Sequence, residues 1–160
     1  MRLSNYKRNI LVEGAEYLLN SIDFLSDQKM FNLNYNTIAT YHIMQNVFGE
    51  NKKKYIYSNG PIEIGNDVWI GTQCVILSGA KINDGVIVAA NSVVTGEIPP
   101  YAIVAGSPAK VIKYRFDEDI IDLLLKTKWW EWSLDKIQYN RQLFEGKLSK
   151  EKLLTLLQNE

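Results

Sequence analysis

Hydrophobic residues recur at every sixth position through the middle of the chain. From residue 64, consecutive units of six read IGNDVW, IGTQCV, ILSGAK, INDGVI, VAANSV and VTGEIP. The first position is always β-branched and aliphatic: Ile64, Ile70, Ile76, Ile82, Val88 and Val94. The fifth position is small or aliphatic: Val68, Cys74, Ala80, Val86, Ser92 and Ile98. A single amphipathic strand repeats every two residues and a helix about every 3.6, so neither alone explains this period.

A period of six predicts a coil of short strands. Each unit supplies one flat strand and one corner, and three units complete one turn of a triangular prism. Successive turns then pair as parallel strands about 4.8 Å apart. The first position points into the prism, and the fifth must be small because it lies near a corner. The expected fold is therefore an all-β core formed by a parallel β-helix.

The chain is expected to divide into three parts. Residues 1–58 form a degenerate N-terminal segment with a projecting loop, residues 59–114 form the hexapeptide coil, and residues 115–160 form a helical tail. Pro99 and Pro100 are expected to end the regular coil, because proline cannot donate to a strand ladder.

Helices are predicted in the tail. Apolar residues at helical spacing follow Asp117, which can cap a helix, and a second short helix is predicted from Ser149. The tryptophans at 129, 130 and 132 are expected to anchor this tail on the coil.

Composition excludes several classes of function. Eighteen basic residues balance eighteen acidic ones, which gives no electrostatic reason to expect nucleic acid or an anionic membrane as a partner. No apolar run approaches the ~20 residues of a transmembrane helix. Glu13 and Glu16 interrupt the N-terminal stretch, so no signal peptide is expected and a cytoplasmic location is the default. With one cysteine and one histidine, no intrachain disulfide and no metal site is expected.

The stretch IGNDVWIG, the hexad run and PPYAIVAGSPAKVIKYRF resemble the hexapeptide-repeat acyltransferases. The resemblance is greatest to the streptogramin and chloramphenicol acetyltransferases and to relatives that O-acetylate capsule and lipopolysaccharide sugars, and it covers about residues 59–138. It implies a left-handed coil with C-terminal α-helices, a homotrimer with sites between subunits, and acetyl-CoA as co-substrate. The implied reaction is acetyl transfer to a hydroxyl of a sugar or surface-polysaccharide precursor, with an antibiotic hydroxyl as the alternative acceptor.

The same resemblance implies where acetyl-CoA binds. The matching positions are Trp69, Thr72, Ala90, Thr95, Lys110 and Lys113. Trp69 would line the site, Thr72 would lie along the acetyl-CoA channel, and Ala90 would present its backbone amide to the pantetheine arm. The two lysines would face the phosphates and adenine of CoA. Structural alternatives stay open, since Trp69 can cover a core layer, Ala90 can be small because a corner demands it, and the lysines can be solvated.

The catalytic base is the open question. Attack by a hydroxyl on a thioester needs a group that accepts the hydroxyl proton. The family carries a histidine in a loop that this chain matches around Asn32–Tyr35, but Leu33 occupies the histidine position. His42 follows nine residues later in the same loop, and its ordinary pKa suits a base. Either His42 is the catalytic residue, or it is an ordinary loop residue of a catalytically degenerate CoA-binding or trimeric scaffold protein.

Overall fold

A computed structural model describes residues 10–12, 38, 47–49 and 59–158. Its strands are β1 (Ile10–Val12), β2 (Glu63–Ile64), β3 (Val68–Ile70), β4 (Val75–Ile76), β5 (Lys81–Ile82), β6 (Ile87–Val88), β7 (Val93–Val94), β8 (Glu97–Ile98), β9 (Ala102–Gly106) and β10 (Ala109–Tyr114). Its helices are α1 (Glu118–Thr127), α2 (Leu134–Tyr139) and α3 (Lys150–Gln158), with 3₁₀ helices at Trp129–Glu131 and Arg141–Leu143. The β-rich core followed by C-terminal helices confirms the predicted fold class at that level.

Successive strands visit three sheets in rotation. The first face consists of β2, β5 and β8, the second of β1, β3, β6 and β9, and the third of β4 and β7. All pairs within these faces are parallel. The strand β10 pairs antiparallel with β9 at the edge of the second face. This rotation is what a coil of three short strands per turn requires.

The repeat sets the strand register. Trp69 pairs with Ile87 and Val75 pairs with Val93, so equivalent residues lie three hexads apart. The last turn is two residues shorter, because Ile82 pairs with Ile98 and not with residue 100. The left-handed backbone of Gly96, with φ of 68°, lies in this tight corner. The prediction that Ile98 stacks as a fifth-position residue of a full hexad was therefore wrong.

The inward positions form one hydrophobic core. The first-position residues from Ile70 to Val94 are buried, and so are all the fifth-position residues. Ile64 is half-buried and packs against this core from its end. Cys74 is buried in the core, and its Sγ donates to the Ala89 carbonyl at 3.0 Å. The spacing of six therefore predicted the core residues correctly.

The ladder continues past the two prolines. The strand β9, which follows them, pairs parallel with β6, and Ile103 lies opposite Ile87. The expectation that Pro99 and Pro100 end the regular coil was wrong. Both prolines lie between β8 and β9, where a missing N–H interrupts no ladder. The parallel order ends instead at β10.

The tail packs against Tyr101 of the coil through Leu124 and Leu153. Asp117 precedes α1, where its carbonyl accepts from the Ile120 and Ile121 amides while its side chain makes no capping bond. Ser149 precedes α3, and its Oγ accepts from the Lys152 amide at 3.4 Å. Trp132 is buried and donates from Nε1 to the Thr127 carbonyl at 2.9 Å. The predicted helices are thus confirmed. The bond of Trp132 lies within the tail, so the expected anchoring of the tail on the coil by the three tryptophans stays a prediction.

Little of the N-terminal segment is described. The strand β1 pairs parallel with β3, with Ile10 opposite Val68, and so extends the second face by one strand. In the parts of the chain that the structure describes, no helix is long and apolar enough to cross a bilayer.

Replacing Gly85 with alanine should destabilise the protein more than the same change at Gly96. Both glycines have a left-handed φ, 71° and 68°, which costs an alanine about 1 kcal/mol. A Cβ at Gly85 would lie 2.5 Å from the Tyr101 ring, whereas at Gly96 it would meet no described atom within 4 Å. Urea denaturation should show losses of about 1 kcal/mol for Gly96→Ala and about 3 kcal/mol for Gly85→Ala. Equal losses would contradict this packing of Tyr101 on the coil.

Candidate functional site

The corner between the second and third faces brings two of the implied cofactor residues together. Thr72 follows β3 and Ala90 follows β6, so they lie on successive turns. The Asn91 amide donates to the Thr72 carbonyl at 3.0 Å. On the next turn, the Gly106 amide donates to Ser92 Oγ at 3.2 Å. We call residues 71–73, 89–92 and 106–108 the stacked corner.

A glycine allows these turns to approach closely. Gly71 is buried, and a Cβ there would lie 2.6 Å from the Ala90 nitrogen. The neighbouring positions Gln73 and Asn91 adopt left-handed φ values of 58° and 60°. The backbone of the stacked corner is therefore held in one arrangement by steric contact and by the amide–carbonyl bond between its turns.

The stacked corner leaves hydrogen-bonding groups available. Ala90 is exposed, and its backbone N–H has no acceptor among residues 59–158. Thr72 is also exposed, and its hydroxyl makes no hydrogen bond within that range. A donor N–H and a hydroxyl at an exposed corner can bind the oxygen of an amide or carbonyl group.

Two lysines lie on β10, the edge strand that follows this corner. Lys110 pairs with Ala105 on β9, and Lys113 lies opposite Ile103. Both lysines are exposed, and neither forms an ion pair with an acidic residue in the described part of the chain. Exposed ammonium groups of this kind can bind phosphate as mobile point charges.

Trp69 projects from the second face. Trp69 pairs with Ile87 on β6, and Ile87 pairs with Ile103 on β9. Ile103 in turn pairs with Lys113 on β10. Its side chain is 37% exposed. Trp69 and Lys113 thus share one outward row of the same face.

The remaining implied residues are elsewhere. Thr95 is exposed and follows β7, at the corner between the third and first faces. The third face therefore separates Thr95 from the stacked corner. His42 and Leu33 lie outside the described residues, so the structure does not test either role.

At the corner between the first and second faces, Arg115 bonds to two turns of the coil. Arg115 Nη1 donates to Asp67 Oδ2 at 2.9 Å and to the Gly85 carbonyl at 2.7 Å. The Arg115 guanidinium also lies 5.3 Å from the centre of the Tyr101 ring. This cluster ties the start of the tail to the turn two residues before Trp69. Sequence analysis missed it, because a pair 48 residues apart leaves no local signal.

Tyr101 is held neutral in this cluster. Burial raises the pKa of its hydroxyl above the ordinary value, and the nearby Asp67 carboxylate raises it further, against the opposing effect of Arg115. The hydroxyl is buried without a hydrogen-bond partner among the described residues.

The outward row of the first face is charged on all three of its strands. Glu63, Lys81 and Glu97 stack in one outward row. The Asn83 side chain donates to Glu97 Oε1 at 3.0 Å, and this bond, together with Lys81, lowers the pKa of the Glu97 carboxyl. The outward row of the second face contains Trp69, Ile87 and Ile103 on the coil strands, with Lys113 of β10 beside Ile103. The outward row of the third face contains Val75 and Val93.

Comparison with known proteins identifies the class. The family description "Bacterial transferase hexapeptide (six repeats)" matches residues 61–96. A probable macrolide acetyltransferase from Lysinibacillus sphaericus is 36% identical over 150 residues, which cover 90% of this chain and 77% of that protein. A galactoside O-acetyltransferase from Escherichia coli (strain K12) is 36% identical over 95 residues, 59% of this chain and 45% of that protein.

Chloramphenicol acetyltransferases share the coil region. The one from Morganella morganii is 52% identical over 79 residues, 49% of this chain and 38% of that protein. The chain thus spans well under half of this relative's length. A solved hexapeptide-repeat acetyltransferase from Vibrio cholerae O1 biovar eltor, complexed with acetyl coenzyme A, is 45% identical over 36% of this chain and 32% of that one, with a TM-score of 0.36. On the sequence relatives, the chain belongs to the hexapeptide-repeat acetyltransferase family.

Proposed function

We propose that this protein transfers an acetyl group from acetyl-CoA to a hydroxyl of a small molecule or glycan. The observation that carries this proposal is the stacked corner, where the exposed residues Ala90 and Thr72 have a backbone N–H and a hydroxyl with no hydrogen-bond partner among residues 59–158. The acetyltransferase names of the relatives support the reaction class.

The pantetheine arm of CoA suits this corner. Its amide carbonyls accept hydrogen bonds, so one of them would accept from the Ala90 N–H, with Thr72 beside the arm. A side chain larger than alanine at residue 90 would occupy the same space. The phosphates would lie toward Lys110 and Lys113, which have no acidic partner in the described chain to compete for them. Trp69 would border the channel from the second face, whereas Thr95 lies one face away from the stacked corner.

His42 is the proposed base. It would take the proton of the acceptor hydroxyl as the oxygen attacks the thioester carbonyl. The tetrahedral intermediate would then collapse, breaking the carbon–sulfur bond and releasing the CoA thiolate, which takes up a proton to become the thiol. The proposal depends on His42 because Leu33, at the position of the family histidine, cannot accept a proton.

The acceptor is either an antibiotic or a sugar. The resemblance of the coil motifs put a sugar or surface-polysaccharide hydroxyl first. The relatives favour the antibiotic, because the probable macrolide acetyltransferase aligns over 90% of this chain and the galactoside enzyme over 59%. We therefore propose a hydroxylated antibiotic as the first acceptor to test and a sugar as the second. A cytoplasmic location, where acetyl-CoA is available, belongs to the same proposal.

A homotrimer with left-handed coils is the proposed assembly. The second and third faces carry partly exposed apolar rows, including Trp69 and Val75, each 37% exposed. The first face carries Glu63, Lys81 and Glu97 instead. Two faces whose coil strands carry apolar rows suit a threefold assembly, because the second face of one copy can cover the third face of the next. The stacked corner, which joins those two faces, would then lie in each cleft between subunits.

Turnover of acetyl-CoA should depend on His42. With chloramphenicol, a macrolide and a galactoside as acceptors, the wild type should release free thiol, and His42→Ala should lower kcat by at least about 100-fold through loss of the base. Thiol release followed by a chromogenic reagent measures this. Leu33→His is the matched variant, since it restores the family residue.

The outcome separates the enzyme from a scaffold. No wild-type turnover with any acceptor, together with turnover that appears in Leu33→His, would overturn the catalytic role of His42 and indicate a degenerate relative. Full activity in His42→Ala would also contradict the proposal.

The oligomeric state should depend on the apolar faces. Light scattering on a size-exclusion column should give about three times the 18.4 kDa chain mass. Val75→Lys places a charge on the third face and should yield monomers, whereas Glu63→Lys on the charged face should leave the trimer intact. A monomeric wild type, or dissociation caused equally by both changes, would be evidence against this assembly.

A further inference from the structure

A cavity of about 380 Å³ lies between the helical tail and the corner of the coil that contains Asp67 and Tyr101. Its lining includes Tyr101 of the coil and Trp129, Trp132, Leu143, Phe144 and Lys147 of the tail. We call it the tail cavity. Its volume falls within the range typical of small-molecule sites, which are mostly apolar with a few polar groups.

The lining favours a flat apolar ring. Trp129 and Phe144 meet edge to face, with ring centroids 5.3 Å apart and planes inclined at 78°. The Trp132 indole N–H is already bonded to the Thr127 carbonyl, so Trp132 offers an apolar surface rather than a donor. Aromatic guests pack well against such edges and faces.

The charges around the tail cavity favour an anionic group on that ring. Three charged residues line it: Asp67, Arg115 and Lys147. Arg115 pairs with Asp67 at 2.9 Å, which neutralises both. Lys147 is exposed and has no carboxylate within 4 Å in the described chain. Among the described lining residues, Lys147 therefore supplies one positive charge that no carboxylate neutralises.

The tail cavity is distinct from the stacked corner. Asp67 and Tyr101 belong to the corner between the first and second faces, while Thr72 and Ala90 belong to the corner between the second and third. A ligand there would contact the tail and the arginine cluster rather than the proposed CoA channel. The inference therefore does not depend on acetyl transfer.

We propose that the tail cavity binds a small aromatic carboxylate. The ring lies against Trp129, Trp132 and Phe144, and the carboxylate pairs with the Lys147 ammonium. A bicyclic ring of the size of naphthalene fits the volume of the cavity, so 2-naphthoate is the probe for the test.

Calorimetric titration of the full chain with 2-naphthoate measures this binding. The expected dissociation constant is about 0.1–1 mM for a ligand of this size. The neutral analogue 2-naphthylmethanol should bind about fivefold more weakly, because it lacks the pairing with Lys147. Leu143→Trp should fill the cavity and abolish binding of both compounds.

Variants of two lysines locate the charge contact. Lys147→Met should weaken 2-naphthoate binding about fivefold and leave 2-naphthylmethanol unchanged, whereas Lys110→Met, the same change on the other side of the coil, should alter neither. Because Lys147 is exposed, its replacement is compatible with folding even where Leu143→Trp is not. The proposal is overturned if 2-naphthoate does not bind, if Lys147→Met leaves its affinity unchanged, or if Lys110→Met weakens it instead.

Discussion

The inward ladder of aliphatic side chains fixes the geometry on which every other feature depends. Residues such as Ile70, Val88 and Val104 stack one above another in the core, buried from water. Burial of such side chains is the main favourable term in folding, at about 1.5–3 kcal/mol each. Because the ladder repeats every three hexads, residues far apart in sequence become neighbours at the corners. Thr72 and Ala90 meet in this way, as do Asn66 and Asp84.

One scaffold therefore presents corners of different chemistry. At the stacked corner, Ala90 and Thr72 keep groups free of partners in the described chain. At the corner between the first and second faces, Arg115 donates hydrogen bonds to the Asp67 carboxylate and the Gly85 carbonyl. These bonds link the start of the tail to the coil. A corner whose polar groups are satisfied stabilises the fold, whereas a corner with free groups can bind a ligand. The proposed cofactor channel follows from this difference.

The sequence alone predicted the features that depend on the six-residue period. It did not predict the features that depend on contacts between distant segments. The core positions follow from six-residue spacing, since each inward residue must be apolar or, like Ser92, small and hydrogen-bonded. The shortened corner at Gly96 and the continuation of the ladder after Pro100 were missed, because a skipped or extra strand changes the register without changing the local pattern. The Arg115 cluster joins distant segments and has no local signature. The motif positions at the stacked corner came from family resemblance, and the roles of His42 and Leu33 remain predictions.

The central claim is that the stacked corner binds the pantetheine arm of CoA. Calorimetric titration with CoA, for the wild type and Ala90→Val, tests it without requiring turnover. The added methyl groups lie at an exposed corner, so the urea midpoint should not change, while steric overlap with the arm should weaken CoA binding at least about tenfold. Equal affinity in both proteins would contradict the account, because CoA would then bind elsewhere on the coil.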